Sequence, residues 1–452
     1  MKHFIISSIL LLTLQCATAQ TDSVRYLPDY SPDRIMLTIS GNPASERSVT
    51  WRTRYDITNG FGQIAKATAT VTPDTILTIK GSHAPWEKGS MYAMGHKVTF
   101  KDLIPNTQYM YRVGDSASWS EWFLFTTASQ ESNPFSIIYF GDMQNGIKSH
   151  CSRTVRQAYA HKPNASFMLF AGDLVNRSYE EYWREFFYAG SFIFASLPSV
   201  ATPGNHEYYP NPDTTLPRTF SRHWNSIYNN PDNGPVSNRN NSYHFIYQDV
   251  KFISIDSYFF MEIAEDQNAY LTWLEDVLKK QNTRWSVVFF HHPVYSCSHK
   301  RNNADMQTKL KPLFEKYDVD LVLQGHDHTY CRGQNITYSS KEGKRSPMYV
   351  VSVAGSKMYG LSTEKWSDRV SSTMQLYQLI DFSHTNLKFN TYLVTGELYD
   401  SFEIEKDNHG DKTISIDPAI ELINESVDIP QSYIDRYTPE EIESYKKIYQ
   451  QE

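Results

Sequence analysis

Four apolar runs in the later two-thirds of the chain end abruptly in polar side chains, and this punctuation constrains the fold more than any other feature. FSIIYF (135–140) passes into GDMQNG, SFMLFA (166–171) into GDLVN, SVVFF (286–290) into HHPVYS, and VDLVL (319–323) into QGHDHTY. Between them lie amphipathic stretches such as NAYLTWLEDVLKKQ, in which Leu271, Leu274, Val277 and Leu278 share a helical face, and ADMQTKLKPLFEKY. Short apolar strands alternating with such helices predict a layered α/β domain. YVVSVAG and residues 375–403 read as further strands closing it.

Open α/β sheets bind ligands beyond the carboxyl ends of their strands, so the residues just past each run are the candidate site. They are Asp142 and Gln144, Asp173 and Asn176, His291 and His292, and His326 and His328; a further segment, ATPGNHEYY, adds Asn205 and His206. Taken singly, each has an ordinary explanation. A GD pair after a strand is commonly a turn or helix cap, and GNHE or HHP a surface loop. Together they deliver Asp, Asn, Gln and His, the oxygen and imidazole donors that divalent metals prefer. His326 and His328 stand two apart, and in an extended segment that spacing turns both imidazoles to one side. Glycine directly before Asp142, Asp173, Asn205 and His326 lets the backbone bend sharply into the site.

Residues 24–128 have a different texture. DRIMLTISG, RSVTWRT, GHKVTF, TQYMYRVGD and SEWFLFTT are short runs rich in β-branched and aromatic residues, set apart by Asn, Pro, Gly and Asp, and predict an all-β sandwich. ASQESNP (128–134) reads as a linker. Trp51, Trp119 and Trp122 fit strand packing better than a ligand platform, which makes the sandwich a spacer or a dimer surface and leaves a homodimer among the expectations.

At 452 residues the chain exceeds one ordinary core. Its 43 Lys and Arg against 50 Asp and Glu leave a net charge of −7 with no basic run, which argues against a nucleic-acid partner. The start carries Lys2, an apolar stretch over 4–14 and Ala17-Thr18-Ala19, the pattern of a signal peptide at 1–19, so export to the periplasm or exterior is expected. Residues 4–14 are too few to span a bilayer, no later stretch is apolar enough to do so, and Gln15 fits poorly before a lipid-bearing Cys16. Removal of Cys16 leaves Cys151, Cys297 and Cys331, an odd number; a Cys297–Cys331 bridge and two buried free thiols both stay open. The tail, 404–452, ends in YTPEEIESYKKIYQQE, where Thr438 can cap a helix, Pro439 opens it and Glu441 completes a capping box. It reads as a final helix without catalytic content.

The ordered set GD, GD, GNHE, HxP and GHxH resembles that of the calcineurin-like metallophosphoesterases and, within them, the purple acid phosphatases. The latter usually carry an N-terminal fibronectin-III-like sandwich, and LTISGNPASERSVTWRT with HKVTFKDLIPNTQYMYRVGDSASWSEWFLFTT resembles that domain. The likeness covers roughly residues 30 to 403. It implies a fibronectin-III-like domain at 24–128, a metallophosphoesterase domain at 134–403 made of two β-sheets flanked by helices, and an extension at 404–452. It also implies two metal ions bridged by Asp173, with Asp142 and His328 on one and Asn205, His291 and His326 on the other. The family places its ligand His two residues before Pro, which selects His291 over His292. Two divalent ions can clamp phosphoryl oxygens and activate water, and their charge attracts an anionic phosphate without an arginine cluster.

The chain also departs from that pattern. Purple enzymes carry GDxxY, whose tyrosinate binds ferric iron; here the last position is Asn176. Their glycine two after the first Asp is Gln144, where other metallophosphoesterases carry a ligand His. Gln144, with Asn176 as the alternative, is therefore expected to supply an amide oxygen, and the ions are expected to be divalent Fe, Zn or Mn rather than ferric. The implied activity is an exported phosphatase acting on small phosphate monoesters, with His206 as general acid and His299 as a second candidate. A phosphodiesterase or nucleotidase on the same core, and a non-catalytic surface-binding protein, are the alternatives. Substrate contacts are expected from Tyr208, Arg218, His223 and Trp224 in the long segment after GNHE, and from His292.

Overall fold

The computed structural model describes residues 27–450 apart from 72, 74, 87–91, 336–345 and 365. The expected signal peptide at 1–19 lies outside the described residues.

Two sheets make the larger domain. In the first, Phe135–Phe140, Met168–Phe170 and Ser199–Ala201 run parallel, and Leu376–Phe382, Asn386–Leu393, Leu398–Lys406 and Lys412–Ile416 extend it antiparallel beyond Phe135–Phe140. In the second, Val250–Ile255, Trp285–Phe290, Leu321–Gln324 and Met348–Val351 run parallel between antiparallel edge strands. Parallel strands covered on both faces need nearly continuous apolar sequence, which is what these runs supply. Alternation then sorts the side chains. Ile137 and Tyr139 face the second sheet in a shared core with Leu169, Phe252, Val287, Phe289 and Leu323. Ile138 and Phe140 face outward onto the helices Ser152–His161 and Glu180–Gly190, through Val155, Ala158, Trp183 and Phe186. On the opposite side, Gln267–Lys279 and Lys311–Lys316 cover the second sheet through Leu274, Val277, Leu278 and Phe314; Leu271 is only partly buried.

The N-terminal domain is a sandwich of a four-stranded sheet on one that does not stand alone. Its strand Asp33–Thr38 pairs in parallel with Ser199–Ala201, Thr38 opposite Ser199, so this sheet runs on into the first catalytic sheet as one of eleven strands. Side chains reinforce the seam. Tyr111 donates to the Ala195 carbonyl at 2.6 Å and Thr50 to the Ile227 carbonyl at 2.6 Å. The buried guanidinium of Arg52 meets Glu180 at 2.6 Å. The spacer on a linker expected from ASQESNP is thus an integral layer of the fold. Trp51 is fully buried and stacks on His96, while the half-buried Trp119 and Trp122 clasp Arg112 at 4.8 and 4.6 Å.

One expected boundary is crossed at the other end. Leu398–Lys406 crosses the expected domain limit at 403, and Lys412–Ile416 adds an edge strand beyond it. Pro439–Tyr449 forms the final helix, capped by Thr438 and Glu441 as the sequence predicts. Its Tyr445, with Tyr433 and Tyr437, packs against Cys297, Cys331, Val351 and Leu361, directly behind the histidine loops. Cys297 and Cys331 form a disulfide; Cys151 is free and buried.

Candidate metal centre

The polar residues past the strand ends meet between the carboxyl edges of the two sheets. Each of the two aspartates anchors one oxygen and presents the other. Asp142 Oδ1 accepts the His326 backbone N–H, while its Oδ2 is buried, has no hydrogen-bond donor among the described residues and lies 3.1 Å from His328 Nε2. Asp173 Oδ1 accepts the His206 backbone N–H at 2.8 Å, and its Oδ2 lies 2.7 Å from Gln144 Nε2 and 3.1 Å from His291 Nε2. His291 donates Nδ1–H to the Ala171 carbonyl at 3.0 Å, so Nε2 is the nitrogen that offers a lone pair once the ring is neutral; Asn205 Oδ1 is 3.2 Å from it and His326 Nδ1 3.0 Å. His328 donates Nδ1–H to the Lys357 carbonyl at 2.9 Å, again freeing Nε2.

Two groups of donor atoms therefore converge with Asp173 Oδ2 common to both. One holds Asp142, His328 and the Gln144 amide; the other holds Asn205, His291 and His326. His292 lies close enough to complete a triplet with His291 and His326. Lone pairs converging away from water repel one another unless a cation lies among them, so this donor set suits a pair of divalent ions.

Charge in the metal-free protein tells the same story. Burial pushes the Asp142 carboxyl up to about 7. Burial opposes a charge on His291 as well, but the Asp173 and Asp142 carboxylates outweigh it and hold this imidazole up at about 9. In return, and against burial, His291 and His206 keep Asp173 well below the usual carboxylate range. His292, His326 and His328 are pushed well below theirs by burial and by neighbouring cations, so they stand neutral, the form that binds metal.

The backbone at the ligands is unusual. Asp173, His326 and His328 have φ of 49°, 73° and 50°, in the left-handed region. His326 and His328 thus sit in a turn after Leu321–Gln324 rather than in the extended segment expected, and they reach different donor groups because the turn splays them. Such conformations cost about 1–3 kcal/mol each and need support. Two buried acids that the sequence reading passed over provide it. Glu207 accepts the N–H groups of Asp173 (2.9 Å), Leu174 (2.9 Å) and Gly204 (2.7 Å), tying the second GD turn to GNHE. Asp327 accepts from Cys297 N–H (2.6 Å), the Ser296 hydroxyl (2.9 Å) and Arg301 (2.6 Å), tying the two histidine loops. Their signal was an acid embedded among ligands in GNHE and HDH. At Gly204 and Gly325 a Cβ would run into the carboxylates of Asp173 and Asp142, so glycine there serves close approach.

The remaining candidates separate clearly. His206 stands at the rim, its side chain 23% exposed, with Nδ1 bonded to the Asn176 carbonyl and Nε2 3.9 Å from Asp173 Oδ2. Arg218 reaches the centre by donating to the Asn205 carbonyl at 2.8 Å. Asn176 is corrected as a ligand: it brings its backbone carbonyl to His206 and lines a neighbouring groove with Asn145, Lys148 and Tyr182. His299 is corrected as an acid, because its ring stacks on Tyr437 and its Nε2 faces Glu441 at 3.4 Å. Tyr208 is corrected as a substrate contact: it is buried, with its hydroxyl donated to Asp256 at 2.6 Å. Trp224 is fully buried in the core, and His223 is buried facing Glu180 at the seam between domains. His292 stays at the centre, its Nδ1 2.9 Å from the Ser257 hydroxyl.

This fold and centre are those of a calcineurin-like phosphoesterase, and residues 135–330 match that family. Residues 32–127 match the purple acid phosphatase N-terminal domain, so the chain joins that domain to a calcineurin-like phosphoesterase domain. Among its relatives, purple acid phosphatase 21 of Arabidopsis thaliana is 28% identical over 65% of this chain and 65% of its own. Probable purple acid phosphatase 20 of the same plant is 26% identical over 79% and 81%, and human acid phosphatase type 7 is 28% identical over 68% and 71%. The purple acid phosphatase PPD1 from yellow lupin seeds shares the fold with a TM-score of 0.68 at 19% identity, covering 84% of this chain and 75% of that one.

Proposed function

We propose that this chain is an exported phosphatase that uses two divalent metal ions to hydrolyse small phosphate monoesters. The observation that carries the proposal is the convergence of two donor groups on the shared Asp173 Oδ2, 3.1 Å from His291 Nε2 and 2.7 Å from the Gln144 amide. Divalent Fe, Zn or Mn held there would polarise the phosphoryl oxygens and lower the pKa of the attacking water. Asp142, Asp173, His328 and Gln144 would hold one ion, and Asp173, Asn205, His291 and His326 the other. Gln144 Oε1 is buried without a donor among the described residues, and amide oxygen and nitrogen exchange places by a half-turn of the side chain. That half-turn gives the ion an oxygen where the nitrogen now faces His328 and Asp173.

His206 acts as the general acid. Its Nδ1–H is committed to the Asn176 carbonyl, so Nε2, at the rim, is the ring nitrogen left to pass a proton to the leaving oxygen. Arg218, fixed by the Asn205 carbonyl, orients the anion from one side. Export is supported by the sequence of residues 1–19 and by the Cys297–Cys331 disulfide, which persists in oxidising compartments.

Proton donation contributes roughly 10²–10⁴ in rate, or about 3–5 kcal/mol, and an alkoxide needs it far more than a nitrophenolate. The His206→Ala variant is expected to keep its metals and to lose much more kcat/KM on an alkyl phosphate than on p-nitrophenyl phosphate. An equal loss on both would refute the acid role.

A further inference from the structure

Beside the metal centre lies a recess of about 440 Å³ lined by His299, Lys300, Arg301, Asn302, Tyr433 and Arg436. The loop following His291 makes one wall and the C-terminal extension the other. A single side chain separates it from a metal-ligand candidate: the Tyr359 ring is 4.6 Å from that of His328 and 5.0 Å from that of Tyr433. Arg301 and Arg436 place their guanidinium carbons 5.6 and 5.8 Å from the same Tyr359 ring. Arg301 also donates to the His326 carbonyl at 2.9 Å, so the recess and the centre share a wall.

Two of its cations are spoken for. Arg301 pairs with Asp327 at 2.6 Å, and Lys300 with Glu441 at 2.9 Å. Arg436 is different: its guanidinium lies 4.3 Å from the Tyr433 ring, and no carboxylate is in reach of it among the described residues. Lys357, 5.1 Å from the Tyr359 ring, has its charge felt by Asp142 of the metal centre instead. A guanidinium laid on a ring keeps its N–H edge free and pre-oriented for an anion. Fastening of the tail accounts for Lys300, which also donates to the Arg436 carbonyl at 3.2 Å, but not for the Arg436 side chain.

Resting on the phosphatase assignment above, we propose that this recess is a subsite for a second phosphate group of the substrate, so that the chain prefers phosphate esters carrying two phosphates over simple monoesters. The Arg436 guanidinium, on the C-terminal extension, is the group that reads it.

The test compares kcat/KM for the bisphosphate and the monophosphate of one short diol, in the wild type and in Arg436→Gln and Arg436→Lys. The wild type is expected to favour the bisphosphate by about tenfold or more, the worth of a charge-assisted contact, with the ratio shrinking as salt rises. Arg436→Gln should bring the ratio towards unity and Arg436→Lys should restore part of it. A ratio near unity in the wild type, or one that Arg436→Gln leaves intact, overturns the subsite while leaving the phosphatase assignment standing. If neither ester turns over, that assignment fails, and calorimetry with inorganic tripolyphosphate against orthophosphate still judges the recess. An affinity ratio that Arg436→Gln reduces supports it, and an unchanged ratio overturns it.

Discussion

Asp142 and Asp173 each bind one backbone N–H through Oδ1 and turn Oδ2 inward, and that division of labour was visible in the sequence only as GD. The residue types past the strands were legible because metals demand them. What the sequence could not show was which side chains the folded loops admit. Tyr208, Trp224 and His223 look alike in a polar loop, yet all three are buried away from the centre, whereas Arg218 is not. The same burial gives the centre its pH dependence. In the metal-free protein Asp142 is raised to about 7 and His291 to about 9, so both keep their protons to higher pH than an exposed carboxyl or imidazole would. Metal binding must displace those protons. Apparent affinity for Zn or Mn is therefore expected to rise with pH up to about 9, by about tenfold per pH unit for each proton displaced. Chelator competition at about pH 6, 7 and 8 checks it; an affinity independent of pH would contradict the charge arrangement described.

At the scale of elements, apolar runs located the strands well: Phe135–Phe140 coincides with the run read from sequence, and the end helix starts at its capping box. One inference of geometry failed for a physical reason. The alternation rule placed His326 and His328 on one extended face, but left-handed backbone at both positions makes a turn, a state that residue identity alone does not announce outside glycine. The tail's own pattern is that of an ordinary amphipathic helix, and its packing partners, behind the histidine loops, are remote in sequence and so were not legible. One link between those loops is covalent. Cys297 and Cys331 close a loop with a separation of 34 residues, for which chain entropy predicts about 3–4 kcal/mol of stabilisation. The Cys297→Ala/Cys331→Ala variant is expected to unfold at a clearly lower temperature by calorimetry yet retain bound metal, since neither cysteine holds a ligand directly. An unchanged midpoint would show that Asp327 and the tail suffice to hold the loops.

For the whole molecule, the two domains read from composition are real, but their separation is not. Thr38 opposite Ser199 joins the sandwich to the catalytic sheet, and Glu180 meets the buried Arg52 across the seam. Pairing between strands so distant in sequence has no local signature, so a linker was the natural expectation from polar residues and a proline. The consequence is that the GNHE turn, which follows Ser199–Ala201, is braced on one side by the sandwich and on the other by the catalytic sheet. The central claim is that this frame holds two ions on one shared carboxylate. Metal content of the purified protein tests it most directly, read alongside circular dichroism to confirm folding. Two divalent ions per chain are expected in the wild type, a partly loaded site in Asp142→Ala and in His328→Ala, and almost none in a folded Asp173→Ala. Equal metal content in Asp173→Ala and the wild type would contradict the account.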